Sequence, residues 1–291
     1  MRRFVVSIAV LLALASLALG SLSLATATVP GRTAPAGEDV EIRDGELALK
    51  AVLFRPEGSG PFPAVVGLHA CGGLHNRSGQ LGTRYRDWAE RLVAAGFVVL
   101  FPDSFGSRGL GAQCTTRERD RRARASRERV GDANAARRWL QGKDWIKGDR
   151  VALLGWSSGA TAALWTIRLR ALQHDGNPDF RSAVAFYPGC RRLSDVAWSA
   201  RVPTLILMGS ADDWYPTPAC QQMVRDARGR SAHAEIVVYP GAQHEFDHPN
   251  RPATQRTGLA FSRDGSGRAH VATHAGARAD ALRRVPDWLA R

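Results

Sequence analysis

Internal repeats and low-complexity tracts are absent from these 291 residues, which excludes solenoids, propellers and other stacked-repeat architectures. There is no H-E-x-x-H and no Cys/His ligand spacing, so neither a metal nor another cofactor is expected. No nucleic-acid recognition motif or aromatic-rich basic platform is present, which argues against a nucleic-acid partner. Acidic residues are outnumbered, 27 against 40 Lys and Arg, for a formal charge of +13. Many of the arginines crowd into residues 115–138 with acidic residues interleaved. The simplest expectation there is a solvated helix face with i,i+4 pairs. Attraction to anionic substrates or to an anionic membrane surface stays open. Cysteine is sparse but even in number: Cys71, Cys114, Cys190 and Cys220.

Residues 1–27 have the form of a secretory signal. Arg2 and Arg3 make a charged start, residues 4–19 are apolar, and Ala25-Thr26-Ala27 fits a small-residue cleavage site. A retained anchor is the alternative, and membrane contact is expected only through this segment if it is uncleaved. The expected location is periplasmic or secreted, where four cysteines suit an oxidising compartment. Residues 28–38, rich in Pro, Gly, Ala and Thr, read as a linker, and 39–291 as the folded domain. An apolar fraction of 44% is ample for a core.

Residues 150–163, RVALLGWSSGATAA, organise the rest of the chain. The apolar run 151–154 predicts a buried strand, and residues 160–172 predict a helix. Between them, Gly155, Ser157 and Gly159 spell G-x-S-x-G, the nucleophile elbow. The turn is tight enough to crowd the residues two before and two after the serine, so glycine fits there. It lifts the Ser157 hydroxyl toward the helix N-terminus, where free N–H groups and the helix dipole favour negative charge.

Further strands are expected at 47–54, 64–68, 97–101, 183–186, 204–208 and 236–239. Helices are expected at 85–95, 116–141 and 280–291. Alternating strand and helix predicts an α/β fold whose mostly parallel central sheet carries helices on both faces. Sites in such sheets lie beyond the carboxyl ends of strands. Ser157 follows one strand, Asp212 and Asp213 follow 204–208, and His244 follows 236–239. The order Ser, Asp, His is that of the α/β-hydrolases.

Ser157 would be the nucleophile, His244 its base, and Asp212 the orienting carboxylate. Asp212 is preferred to Asp213 because Gly209, Asp212 and Pro216 have the acid-loop spacing of that superfamily. Two backbone N–H groups would hold the oxyanion: Ser158, and Cys71 with Ala70 as the alternative. Trp156 and His248 are candidate pocket residues. His69 is expected to pack under the oxyanion loop, and His75, His174, His233, His270 and His274 to lie solvated in loops or near helix ends.

The pieces LHACGGLH, FPDSFGSRGL, LLGWSSGA, AFYPGC, GSADDWYP and YPGAQHEFD together resemble the dienelactone hydrolase family within the α/β-hydrolases. The resemblance runs from about Val52 to the C-terminus. It implies a hydrolase of small-molecule esters or lactones that needs no cofactor, and it leaves the oligomeric state open. Type enzymes of the family use a cysteine nucleophile where this chain has Ser157. They carry a gating glutamate where this chain has His69, and a carboxylate-binding arginine where it has His248. A broader carboxylesterase is therefore expected, with a strict dienelactone hydrolase or a non-catalytic binding protein of the same fold as alternatives. In the superfamily's sheet the strands leading to Cys71 and Cys114 are neighbours, as are those leading to Cys190 and Cys220. That adjacency predicts disulfides Cys71–Cys114 and Cys190–Cys220, with four reduced thiols as the alternative.

Overall fold

The computed structural model describes residues 36–169 and 175–291. The signal-like segment, most of the expected linker, His174 and the last residues of the helix expected at 160–172 lie outside the described residues. In chain order the elements are β1 (Glu38–Asp44), β2 (Leu47–Phe54), β3 (Phe62–Leu68), α1 (Thr83–Ala94), β4 (Val98–Pro102), α2 (Glu128–Gln141), β5 (Ile146–Trp156) and α3 (Ser158–Thr166). They continue as β6 (Ala183–Phe186), α4 (Arg191–Asp195), β7 (Thr204–Gly209), α5 (Thr217–Ala227), β8 (Ala234–Tyr239), β9 (Thr254–Arg256), β10 (Ala269–Val271) and α6 (Ala275–Leu289). No helix among the described residues is long and apolar enough to cross a membrane.

Eight strands form one sheet in the order β1-β2-β4-β3-β5-β6-β7-β8. The β1–β2 and β2–β4 pairs are antiparallel, and every pair from β4 to β8 is parallel. This is the α/β-hydrolase fold, with helices flanking the sheet. β5 lies near the middle, between β3 and β6. Its Val151, Leu153 and Leu154 have no exposure, and each such side chain contributes roughly 1.5–3 kcal/mol by leaving water. The parallel strands expose their carboxyl ends along one edge, which collects the loops after β3, β5, β7 and β8.

The arginine-rich stretch departs from expectation. α2 begins only at Glu128, and residues 116–127 are not α-helical. Arginine forks hold this irregular backbone instead. The Arg121 guanidinium donates to the Thr116 and Gln113 carbonyls and pairs with Glu118 at 2.7 Å. Glu128 accepts from the Arg124 backbone N–H and from its guanidinium. A planar fork that reaches several carbonyls stabilises a stretch whose only regular element is a short 3-10 turn at Glu118–Asp120. Nor is the face of α2 simply solvated: Arg129 and Arg137 are buried.

Other elements are new relative to expectation. β1 takes in Glu38, the last residue assigned to the linker. β9 and β10 form a small antiparallel ribbon. α6 starts a turn earlier than expected, because His274 Nδ1 accepts from the Ala277 N–H and caps it.

Candidate active site

The elbow is built by crowding. Ser157 sits at φ 53°, ψ −118°, a conformation that side chains rarely adopt. A Cβ on Gly159 would collide with the Leu68 and His69 carbonyls, and one on Gly155 would meet the Gly159 carbonyl. Both glycines therefore let the start of α3 press against β5 and the end of β3. The Ser157 N–H donates to Phe186 O at 2.9 Å, which ties the turn to the end of β6.

The strand ends bring three side chains together. The Ser157 hydroxyl is 3.0 Å from His244 Nε2, and His244 Nδ1–H donates to Asp212 Oδ2 at 2.8 Å. The other Asp212 oxygen accepts from the Trp214 and Tyr215 N–H groups, both at 2.9 Å. The carboxylate is thus fixed by its own loop before it meets the histidine. The His244 ring lies among Tyr187, Trp214 and Tyr215, with centroids 4.4, 4.7 and 5.7 Å away. All three polar residues are buried. Asp213 turns elsewhere: it accepts from the His270 N–H at 2.8 Å and from its Nδ1 at 2.7 Å, anchoring β10. His270 is therefore paired rather than simply solvated.

Two backbone N–H groups face the right region in sequence terms. Ser158 opens α3, where donors lack intrahelical acceptors. Cys71 follows β3, and among the described residues its N–H has no protein acceptor. The Ala70 N–H is already committed to the Tyr85 hydroxyl oxygen at 2.8 Å. Cys71 is bonded to Cys114, and Cys190 to Cys220. The Cys71 carbonyl also accepts from the Gln113 N–H at 2.7 Å, so the loop after β3 is held twice.

His69 is buried, with Nδ1–H donating to the Ala70 carbonyl and the ring edge on Phe105. Burial, reinforced by the nearby Arg129 charge, pulls its pKa down to about 3, so it is neutral. His75 lies 3.3 Å from Asp103, while His233 stays exposed against Trp288. His248 is mostly buried, and its Nδ1 accepts from the Asn250 N–H. Burial and then the Arg84 and Arg251 charges lower its pKa to about 4. It therefore carries no charge near neutrality and does not replace an anion-binding arginine.

Trp156 is not a pocket residue. Its side chain has no exposure, stacks on Phe186 and donates to Asp247 Oδ2 at 2.8 Å. The strand pleat turns it into the core while the elbow lifts Ser157 out. A cavity of about 430 Å³ is lined by neighbours of the triad and not by the triad itself: the Thr161 hydroxyl donates to the Ser157 carbonyl, and the Tyr215 N–H donates to Asp212. Thr161 lines it one turn after Ser157, together with Trp165, Tyr215 and Phe261, and its charged lining mixes arginines such as Arg117 and Arg191 with Glu118 and Asp195.

Sequence reasoning missed two buried groups. Asp247 accepts from the Trp88 and Trp156 indoles, each at 2.8 Å, and from the Tyr187 hydroxyl at 2.5 Å. One carboxylate thus joins the residue before Ser157, the ring beside His244 and α1. The other group is Arg129, whose guanidinium donates to the His69 carbonyl and to Ser158 Oγ. Asp247, three residues after the candidate base, carried a positional hint; Arg129 carried none among so many arginines.

A family model for the dienelactone hydrolases matches residues 49–291. Among curated sequences, one relative is the "Putative carboxymethylenebutenolidase" of Methylorubrum extorquens. It is 26% identical over 232 residues, which cover 75% of this chain and 74% of that protein. Among solved structures, the "Putative Dienelactone Hydrolase" of Klebsiella pneumoniae superposes with a TM-score of 0.66 at 21% identity, covering 89% of this chain and all of that one. A thermophilic esterase of Thermogutta terrifontis with propionate bound gives a TM-score of 0.54 at 19% identity, covering 73% and 86%. At these identities the two structures speak for the fold.

Proposed function

This chain belongs to the dienelactone hydrolase family and is a hydrolase of ester or lactone bonds, and from that premise we propose that it is an exported serine hydrolase working through an acyl-enzyme on Ser157. The observation that carries the reading is the buried relay from Ser157 Oγ to His244 Nε2 at 3.0 Å and from His244 Nδ1 to Asp212 at 2.8 Å. Ser157 Oγ attacks the ester carbonyl carbon while its proton passes to His244 Nε2. The carbonyl oxygen, now negative, is received by the Ser158 and Cys71 N–H groups. Collapse expels the alcohol, which takes the proton from His244, and leaves an acyl ester on Ser157. Water, deprotonated by the same imidazole, then attacks that ester and regenerates the serine. Asp212 holds the imidazole tautomer and stabilises its charged form.

The uncharged His248, at the position of the family's carboxylate-binding arginine, supports a broader ester hydrolase over a strict dienelactone hydrolase, and Trp165, Tyr215 and Phe261 in the cavity suit an apolar or aromatic portion. Export is supported by two disulfides in a chain whose first residues have the form of a signal segment. The domain would then comprise residues 39–291, behind a signal at 1–27 and a linker at 28–38.

The test is a panel of short-chain, long-chain and aryl esters and lactones, turned over by wild type and by variants. Ser157→Ala and His244→Ala should each lose turnover by roughly 10⁴-fold or more while staying folded. Asp212→Asn should be severe and Asp213→Asn mild, since Asp213 holds β10 and not the imidazole. Hydrolysis that survives Ser157→Ala would refute the serine reading. A folded wild type inert to the whole panel would favour a binding protein.

A further inference from the structure

We propose that Arg129 is a positioning residue for the oxyanion hole: it clamps the two segments that carry the donors and holds a buried positive charge behind them. The inference rests on the Ser157 reading above. Arg129 is only 1% exposed. Its Nη2 donates to the His69 carbonyl at 2.5 Å and its Nη1 to Ser158 Oγ at 3.2 Å. One contact is two residues before Cys71, and the other is on Ser158 itself. The guanidinium therefore spans the loop after β3 and the first residue of α3, whose N–H groups must lie a fixed distance apart to share one oxygen.

Charge bookkeeping around it is lopsided. Arg108 takes Asp132 with both terminal nitrogens, Arg121 takes Glu118, and Arg124 takes Glu128. Among the described residues no carboxylate pairs with Arg129, and its Nε has no acceptor. The Phe105 ring lies 5.2 Å from the guanidinium carbon, and Asp132 and Glu118 attract the charge without pairing with it while Arg121 opposes them. Burial lowers its pKa to about 10, so it remains a cation near neutrality. Beside it, His69 is held neutral and adds no further positive charge.

A buried cation with no anion in direct contact is costly to fold. It becomes favourable when a negative oxygen develops nearby in a water-poor site, where charges interact strongly. An interaction that strengthens only as the oxyanion forms raises kcat rather than lowering KM. Arg129 touches no substrate; it acts through Ser158 and the His69 carbonyl.

The experiment uses the oxidised protein, a neutral ester that wild type turns over, and a boronic acid that forms an anionic tetrahedral adduct with an active serine. Arg129→Gln keeps a hydrogen-bond donor and removes the charge; Arg129→Lys keeps the charge and removes the fork. In Arg129→Gln, kcat should fall on the order of 10²-fold, with KM within about threefold and boronic-acid affinity falling with kcat. Arg129→Lys should recover much of that loss. A Gln variant with kcat within about threefold of wild type, or Gln and Lys variants equally impaired, would overturn the proposal. Should the Gln variant fail to fold, the Lys variant decides. A kcat within roughly tenfold of wild type at unchanged KM supports the charge, and a loss as complete as that of Ser157→Ala overturns it. Turnover that persists in Ser157→Ala is a separate result: it removes the parent reading, and the proposal falls with it.

Discussion

Glu245 stands directly after His244 at φ 64°, a left-handed position unusual for glutamate. Its carboxylate faces Arg84 of α1 at 3.1 Å and Arg251 at 2.8 Å. Burial alone would raise its pKa, but the two guanidiniums outweigh burial and hold it at about 2, below the ordinary 4.5. A carboxylate depressed in this way contributes stability that is fully present above pH 4.5 and is lost as pH falls through about 2. Between those values the wild type should therefore lose stability more steeply than Glu245→Gln. Denaturant titrations at stepped pH measure this, and parallel curves for the two proteins would contradict it. Some residues of the site were legible in sequence and others were not. Ser157 and Asp212 follow buried strand ends and His244 a half-buried strand, all at the same edge, and glycine spacing marks the elbow. Trp156 was misplaced because an elbow reverses side-chain direction within one residue. Arg129 was invisible because burial of one arginine among many leaves no local pattern.

At the scale of elements, regular strands were the easiest to read. The expected strands at 47–54 and 183–186 coincide with β2 and β6. The β9–β10 ribbon was not read, since each strand has only three residues, too few for a pattern to register. The stretch before α2 was read as helix because helix-forming arginines are common there; it is a loop because carbonyls, Glu118 and Glu128 compete for those arginines. The Cys190–Cys220 bond ties the start of α4 to α5, which follows the Asp212 loop, across 30 residues. Closing a loop of that size stabilises by on the order of 3–4 kcal/mol. The Cys190→Ser/Cys220→Ser double variant should melt on the order of 10 °C lower than wild type. Calorimetry under non-reducing conditions measures it, and an unchanged melting temperature would show that the bond adds nothing.

At the scale of the molecule, the parallel part of one sheet does the positioning. Ser157 and His244 are 87 residues apart in sequence, and Asp212 and His244 are 32 apart, yet each pair is within hydrogen-bond reach. They meet because β5, β6, β7 and β8 are consecutive neighbours in register. Asp247 reinforces the meeting from below by accepting from Trp88, Trp156 and Tyr187. The fold and the order of its polar strand ends were thus readable from strand and helix alternation, whereas the buried braces depend on tertiary contacts that alternation does not encode. The central claim is that Ser157 is the nucleophile. It is tested most directly by treating the folded, oxidised protein with a fluorophosphonate and mapping the adduct by mass spectrometry. The account predicts one adduct, on Ser157, that is absent in Ser157→Ala and strongly slowed in His244→Ala. A hydrolytically active protein that takes no adduct, or takes it on another residue, would contradict it.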